Sequence, residues 1–206
     1  IKTGYLKYHY PVEYMTALLS AWKNDNDKCS VYISECHNMG IEVLPPDVNH
    51  SGYDFTIEER TDGKASIRFG LGAIKNVGQG PVDTIIQARG HQAFSDLNDF
   101  ILRVDLRQVG KRPLECLIKV GAMDAFGARN ALLRSIDQMV SVSTSNMKAI
   151  EMGQLDLFGG GTAALPHVVL PANVGVDTNE QLGWEKELLG LFVSDHPLRS
   201  YMSRIA

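Results

Sequence analysis

Between residues 69 and 124 the chain carries glycine at positions 70, 72, 78, 80, 90, 110 and 121 and proline at 81 and 113. In a helix interior glycine costs about 1 kcal/mol relative to alanine and proline about 3 kcal/mol. The stretch is therefore confined to short helices joined by tight turns. Ile74, Lys75, Asn76, Val77, Gly78, Gln79, Gly80 and Pro81 form one turn, which leads into a helix over 82–88 that Gly90 closes. A further helix over about 95–103 meets a second turn, Leu106, Arg107, Gln108, Val109 and Gly110. Lys111, Arg112 and Pro113 then open a helix over 114–120, which Gly121 caps.

The flanks have a different character. Pro11 stands where a first helical residue is often proline, and Val12, Met15, Leu18, Leu19 and Trp22 follow at helical spacing. Asn24, Asp25, Asn26 and Asp27 break that helix and offer caps for the next. The second helix presents Val31, Ile33, Cys36 and Met39 as an apolar side, and Gly40 ends it. Residues 41–44 form a short strand stopped by Pro45 and Pro46. Residues 53–57 and 65–69 form two strands with an Asp62-Gly63 hairpin signal between them. Downstream, 131–147 is expected to be a more exposed helix, 153 to about 178 a Gly/Pro/Ala-rich linker, and 182–189 a last helix. The predicted fold class is mainly α with a small β-hairpin, built around a tandem helix-hairpin-helix unit.

A chain of 206 residues, 44% hydrophobic and 21% charged, can bury a core. It has no apolar run long enough to cross a bilayer. The start, Ile1-Lys2-Thr3-Gly4, without Met, is what a piece of a longer chain would show. Cys29, Cys36 and Cys116 are an odd number without metal-ligand spacing, as expected of buried free thiols in a reducing cytoplasm. The net charge of −4 argues against a generic nucleic-acid coat. Lys75, Arg103, Arg107, Lys111 and Arg112 leave room for a local basic strip.

The first turn, at Val77-Gly78-Gln79-Gly80, fits a hairpin that grips DNA backbone. Glycines reach positive φ and let a phosphate approach without a Cβ in the way. The N–H groups at the following helix start then face the anion. Lys75 adds a charge, and Asn76 is the next best residue after glycine at positive φ. The bland alternative is a purely structural turn. The second turn brings Lys111 and Arg112 to a helix start, where cations oppose the helix dipole unless an anion is close. A phosphate would be that anion; a solvated surface is the alternative. Two such turns in tandem can hold both strands of a duplex and carry no base information.

Gln154, Leu155, Asp156, Leu157 and Phe158 stand beside the glycines at 159, 160 and 161. Such a string suits a tethered peptide inserted into another protein's pocket, or else hydrophobics folded back onto the domain. Inserting Leu157 and Phe158 would contribute roughly 4–6 kcal/mol, against roughly 2–5 kcal/mol for ordering the segment. The binding expected of the peptide alone is weak. Asp195-His196 could be an acid-base pair, yet adjacent residues seldom share a catalytic geometry. His9, His37, His50, His91 and His167 show no metal spacing, and the carboxylates form no two-metal cluster.

Taken together, these residues resemble the bacterial DNA polymerase III alpha subunit. Leu6, Lys7, Tyr8, His9, Tyr10, Pro11, Val12, Glu13, Tyr14 and Met15 are similar to its fingers region, as are Glu35-Cys36, Met39-Gly40-Ile41 and Leu44-Pro45-Pro46-Asp47-Val48-Asn49. The run from Phe69 to Gly80 resembles its duplex-binding hairpin. Arg112, Leu114-Glu115, Leu117-Ile118 and Gly121-Ala122-Met123-Asp124 match the helix after it. The string from Gln154 to Phe158 falls where that family keeps its internal clamp-binding peptide. Trp184-Glu185-Lys186-Glu187-Leu188-Leu189-Gly190 and Ser194-Asp195-His196-Pro197-Leu198 resemble the entry to its C-terminal part. Gly110, where relatives often carry a polar residue such as Asn, and the 162–178 stretch depart from the pattern.

The resemblance implies a division into 1–69, the end of the fingers; 70–152, the hairpin unit; 153–180, clamp peptide and linker; and 181–206, the start of a C-terminal region. It implies DNA contacts from Lys75, Asn76, Val77, Gly78, Gln79, Gly80, Arg107, Gly110, Lys111 and Arg112. Sliding-clamp contacts would come from Gln154, Leu155, Asp156, Leu157 and Phe158, with other replisome subunits as further partners and no membrane. The parent chain would be a DNA-directed DNA polymerase using magnesium. Its catalytic aspartates would lie upstream, so this part would hold no cofactor and be inactive alone. The alternative is a replisome protein-interaction module whose hairpins are purely structural.

Overall fold

A computed structural model describes residues 2–60, 63–152, 167–172 and 178–192. The first layer is helical: α1 (Lys2–His9), α2 (Pro11–Ala21) and α3 (Asn26–Asn38). Pro11 occupies the start of α2, and Met15 and Leu19 are its buried residues. Asp25 caps α3, its carboxylate accepting from the Lys28 N–H at 3.1 Å. Cys29, Ile33 and Cys36 form the buried side of α3. Val31, expected on that side, is 64% exposed, because only residues three or four apart share a helix face. Helix α1 has no sequence signal of its own: its exposed Tyr5, Leu6 and Tyr8 give no apolar periodicity.

Strands β1 (Val43–Leu44), β2 (Thr56–Glu59) and β3 (Ala65–Arg68) make one sheet in the order β1-β3-β2. The expected hairpin is β2 antiparallel to β3. The addition is β1, which pairs parallel with β3 in the register Val43↔Ile67 and Leu44↔Arg68. Only long-range closure brings residues so far apart in sequence together, so the local pattern could not disclose it.

The chain then enters the glycine-punctuated region: a 3-10 turn at Leu71–Ala73, then α4 (Gln79–Arg89), α5 (Leu97–Arg103), α6 (Leu106–Val109) and α7 (Lys111–Lys119). After a 3-10 turn at Asp124–Phe126 come α8 (Arg129–Glu151) and α9 (Thr178–Leu189). At Gly70 a Cβ would lie 2.5 Å from the Asp54 carbonyl carbon, so glycine is required for the chain to cross there. Residues 106–109, expected within a turn, close a single helical turn on the Asp105 cap.

Helix α8 is less exposed than its sequence implied. Ala131, Leu132, Ser135, Met139 and Ser143 are buried where it crosses α5, α6 and α7. Its buried serines, Ser135 and Ser143, pass as interior residues because their hydroxyls are used. The Ser143 hydroxyl donates to the Val104 carbonyl at 2.8 Å and accepts the Leu106 N–H at 3.1 Å, tying α8 to the α5–α6 elbow. One apolar cluster runs from Met15 through Phe69 and Leu117 to Leu189. Part of the presumed linker also joins it. Val168 is buried, its N–H donates to Asn98 Oδ1 at 2.8 Å, and Leu170 packs on the cluster.

Cys29, Cys36 and Cys116 are free and buried. Burial pushes the Cys29 and Cys36 thiols up to about 11. Among the described residues no helix is long and apolar enough to cross a membrane.

Candidate nucleic-acid interface

The two expected turns lie at the starts of α4 and α7. In the first, Val77 is buried and anchors the turn, while Lys75, Asn76, Gly78, Gln79 and Gly80 are exposed. Asn76 has φ +67°, the positive-φ position held by a non-glycine among the described residues. Gly78 and Gly80 do not serve by positive φ. Gly78 is extended at φ −81°, ψ 174°, and Gly80 lies in the first turn of α4. Their use is open space, since a Cβ at either would meet nothing within 4 Å. Gly78 is the N-cap of α4 and supplies no side-chain cap. The first-turn N–H groups of Gln79 and Gly80 are thus left facing outward.

The second turn repeats the sequence register of the first. Leu106-Arg107-Gln108-Val109-Gly110-Lys111-Arg112-Pro113 stands over Ile74-Lys75-Asn76-Val77-Gly78-Gln79-Gly80-Pro81. Val109 is buried like Val77. The positive-φ position falls two steps later in the second turn, at Gly110 with φ +82°, ψ 153°. Gly110 is also the uncapped N-cap of α7. Pro113 and Pro81 both fall in a first helical turn, where no N–H is needed. The eight-position repeat is present in the sequence itself, a signal that taking each turn separately misses.

The cations are not equally available. Lys75 and Arg112 are exposed and have no ion-pair partner among the described residues. The Lys111 ammonium lies 2.6 Å from the Asp137 carboxylate, with side chains 65% and 85% exposed. The anion expected at this helix start is thus already supplied by α8, although an exposed pair contributes only about 0–1 kcal/mol. Arg107 is more committed. Its Nε and Nη2 donate to Asp105 at 2.9 Å each, and Nη2 also reaches Glu151 at 2.7 Å. The Arg107 guanidinium holds the Asp105 carboxyl down to about 2. In return the Asp105 and Glu151 bonds raise Arg107 above its ordinary value.

Three neighbours of the first turn gave no local sequence signal. The Asn76 side-chain amide reaches Cys116 Sγ of α7 at 4.0 Å. Lys23, Asn24 and Asn26 line an open hollow of about 600 Å³ with residues 72–78. The Lys75 backbone N–H donates to the Leu188 carbonyl of α9 at 3.0 Å. The clamp-peptide residues Gln154, Leu155, Asp156, Leu157 and Phe158, and the Asp195-His196 pair, lie outside the described residues. Among the described residues no three His, Cys, Asp or Glu groups converge as metal ligands.

Paired short helices, each entered through an uncapped glycine turn, are the arrangement of a helix-hairpin-helix motif. The helix-hairpin-helix motif family matches residues 40–133. Over 207 aligned residues, 99% of this chain, the sequence is 40% identical to DNA polymerase III subunit alpha of Campylobacter jejuni, covering 17% of that protein. The same-named protein of Mycobacterium tuberculosis is 43% identical over 105 residues, 50% of this chain and 8% of its own length. That of Thermus aquaticus is 45% identical over 104 residues, again 50% and 8%. Over nearly its whole length the chain is thus similar to one segment of DNA polymerase III alpha subunits and spans under a fifth of their length.

Proposed function

We propose that this chain is the part of a replicative polymerase alpha subunit that holds duplex DNA by its backbone and docks on the sliding clamp. The observation that carries the DNA reading is the repeated turn, twice placing a buried valine, an uncapped glycine and a helix start together. Lys75, Asn76, Val77, Gly78, Gln79 and Gly80 form the first contact. Gly110, Lys111 and Arg112 form the second, with Arg107 beside them held by carboxylates. Val77 serves from inside, by fixing the turn.

Clamp binding by Gln154, Leu155, Asp156, Leu157 and Phe158 rests on their sequence and on the family likeness. The whole protein would add deoxynucleotides to a primer in the cytoplasm with magnesium and with other replisome subunits. The 206-residue segment would bind and not catalyse. The division at 69/70, 152/153 and 180/181 belongs to this proposal.

Two titrations test it. Neutralising about four phosphates predicts a log–log salt slope near −3.6, hence roughly 10²-fold weaker DNA binding at 200 than at 50 mM salt; a flat dependence removes the hairpin reading. Titration with sliding clamp should show weak binding that Leu157→Ala/Phe158→Ala abolishes; no binding by the parent chain removes the clamp reading.

A second reading has an observation in its favour. Lys111 and Arg107 already have carboxylate partners, as they would in a protein-interaction module whose hairpins are scaffold. Lys111→Ala/Arg112→Ala separates the two. Unchanged DNA affinity with clamp binding retained selects the scaffold.

A further inference from the structure

We propose that α9, the helix beyond the 153–177 stretch, is a working part of the first DNA-contacting turn and sets the position of Lys75. This rests on the duplex-binding reading of that turn. The Leu188 carbonyl belongs to the last turn of α9, where carbonyls lack an intrahelical partner. It accepts the Lys75 N–H at 3.0 Å. Gly190 ends the helix at φ +80°, its N–H donating to the Lys186 carbonyl at 3.0 Å. A Cβ on Gly190 would lie 2.8 Å from Asn26 Cβ, so the end of α9 is fitted against the start of α3. Asn26 and Lys75 line the same hollow.

The helix is held in this place from inside. Glu185, 0% exposed, accepts from Arg129 Nη1 at 3.0 Å, and Leu188 and Leu189 are buried. The consequence is a division of labour at Lys75. Its amide is used within the protein, leaving the exposed side chain to meet a phosphate, while α9 fixes the backbone from which that side chain projects. Leu188 and Gly190 are thus positioning residues, lying more than a hundred positions from the turn they serve.

The test measures duplex-DNA affinity against salt for the whole chain, with thermal melting in parallel, for Gly190→Ala, Lys75→Ala and the double variant. Lys75→Ala is expected to make the salt slope shallower by about 0.9, one phosphate's worth. Gly190→Ala is expected to do the same, and the double variant to lose no more than either single, because a displaced Lys75 has already lost its phosphate. Glu185→Gln, which loosens α9 from Arg129 at nearly constant volume, is expected to repeat the result by a second route if Gly190→Ala folds poorly. Additive losses, which a general weakening of the fold would give, overturn the inference. So does unchanged affinity in Gly190→Ala and Glu185→Gln while Lys75→Ala weakens binding. If Lys75→Ala changes nothing, the duplex-binding reading of this turn fails, and the inference with it.

Discussion

Gly110 and Gly78 occupy the same place in the repeated turn yet carry different backbone demands. Gly110, at φ +82° and ψ 153°, lies in a region that is essentially reserved to glycine, and a Cβ there costs on the order of 1–3 kcal/mol. Gly78 is extended, with open space where a Cβ would point. Gly110→Ala should therefore lower stability by about that amount in denaturant unfolding. Gly78→Ala should stay within about 0.5 kcal/mol of the parent, and under the proposed duplex contact its methyl would stand in the phosphate's path and weaken DNA binding. Equal stability losses would show that backbone conformation is not what separates them. The glycines were legible as turn markers, and Asn76 as the positive-φ residue of the first turn; that Gly110 needs positive φ while Gly78 is extended was not, because the two read alike in sequence.

Among the elements, α6 depends most on one side chain. This four-residue helix has no periodicity of its own to hold it, and isolated helices so short are unstable in water. Asp105 supplies the cap, accepting the Arg107 N–H at 3.1 Å and the Arg107 guanidinium besides. With its pKa lowered from 3.8 to about 2, Asp105 stabilises the fold fully above its unfolded value. That contribution is lost as pH falls from about 4 toward about 2. The stability difference between the parent and Asp105→Ala should accordingly be about 1 kcal/mol near neutrality and shrink steadily as pH falls from about 4 through about 2. A difference undiminished at pH 2 would assign it to something other than the carboxylate. A single helical turn leaves too few positions for a pattern, which is why the sequence showed a turn here. The longer α2, α3, α4 and α7 were legible from their caps and breakers.

At the scale of the molecule, the decisive contact joins α9 to the hairpin unit through Arg129. This guanidinium, 7% exposed, donates to Asp124 at 2.9–3.2 Å, to the Lys119 carbonyl at 3.1 Å and to Glu185 at 3.0 Å. Removing one partner of a buried pair strands the other charge at about 3–5 kcal/mol, whereas replacing both with apolar groups is often close to neutral. Arg129→Met should therefore destabilise strongly in urea unfolding, and Arg129→Met/Glu185→Leu should recover most of the loss. A double variant as unstable as the single would mean that Arg129 acts through Asp124 and the Lys119 carbonyl instead. Glu185 stands among charged neighbours in a sequence that reads as an exposed helix; its burial depends on a partner 56 positions away.

The sequence by itself determined the mainly α class with its β2–β3 hairpin, the succession of short helices from 79 to 119, and the place of the two turns before α4 and α7. These follow from local costs: glycine and proline in helices, side-chain caps, and apolar spacing. Only the tertiary structure decided that β1 completes the sheet, that α8 is interior, that residues 167–172 pack on the domain, and that Arg107 and Lys111 meet carboxylates before any phosphate. It also decided that α9 lies against Lys75. Each of these is a contact between distant segments, made when one apolar core closes, and no local pattern encodes which segments that closure brings together.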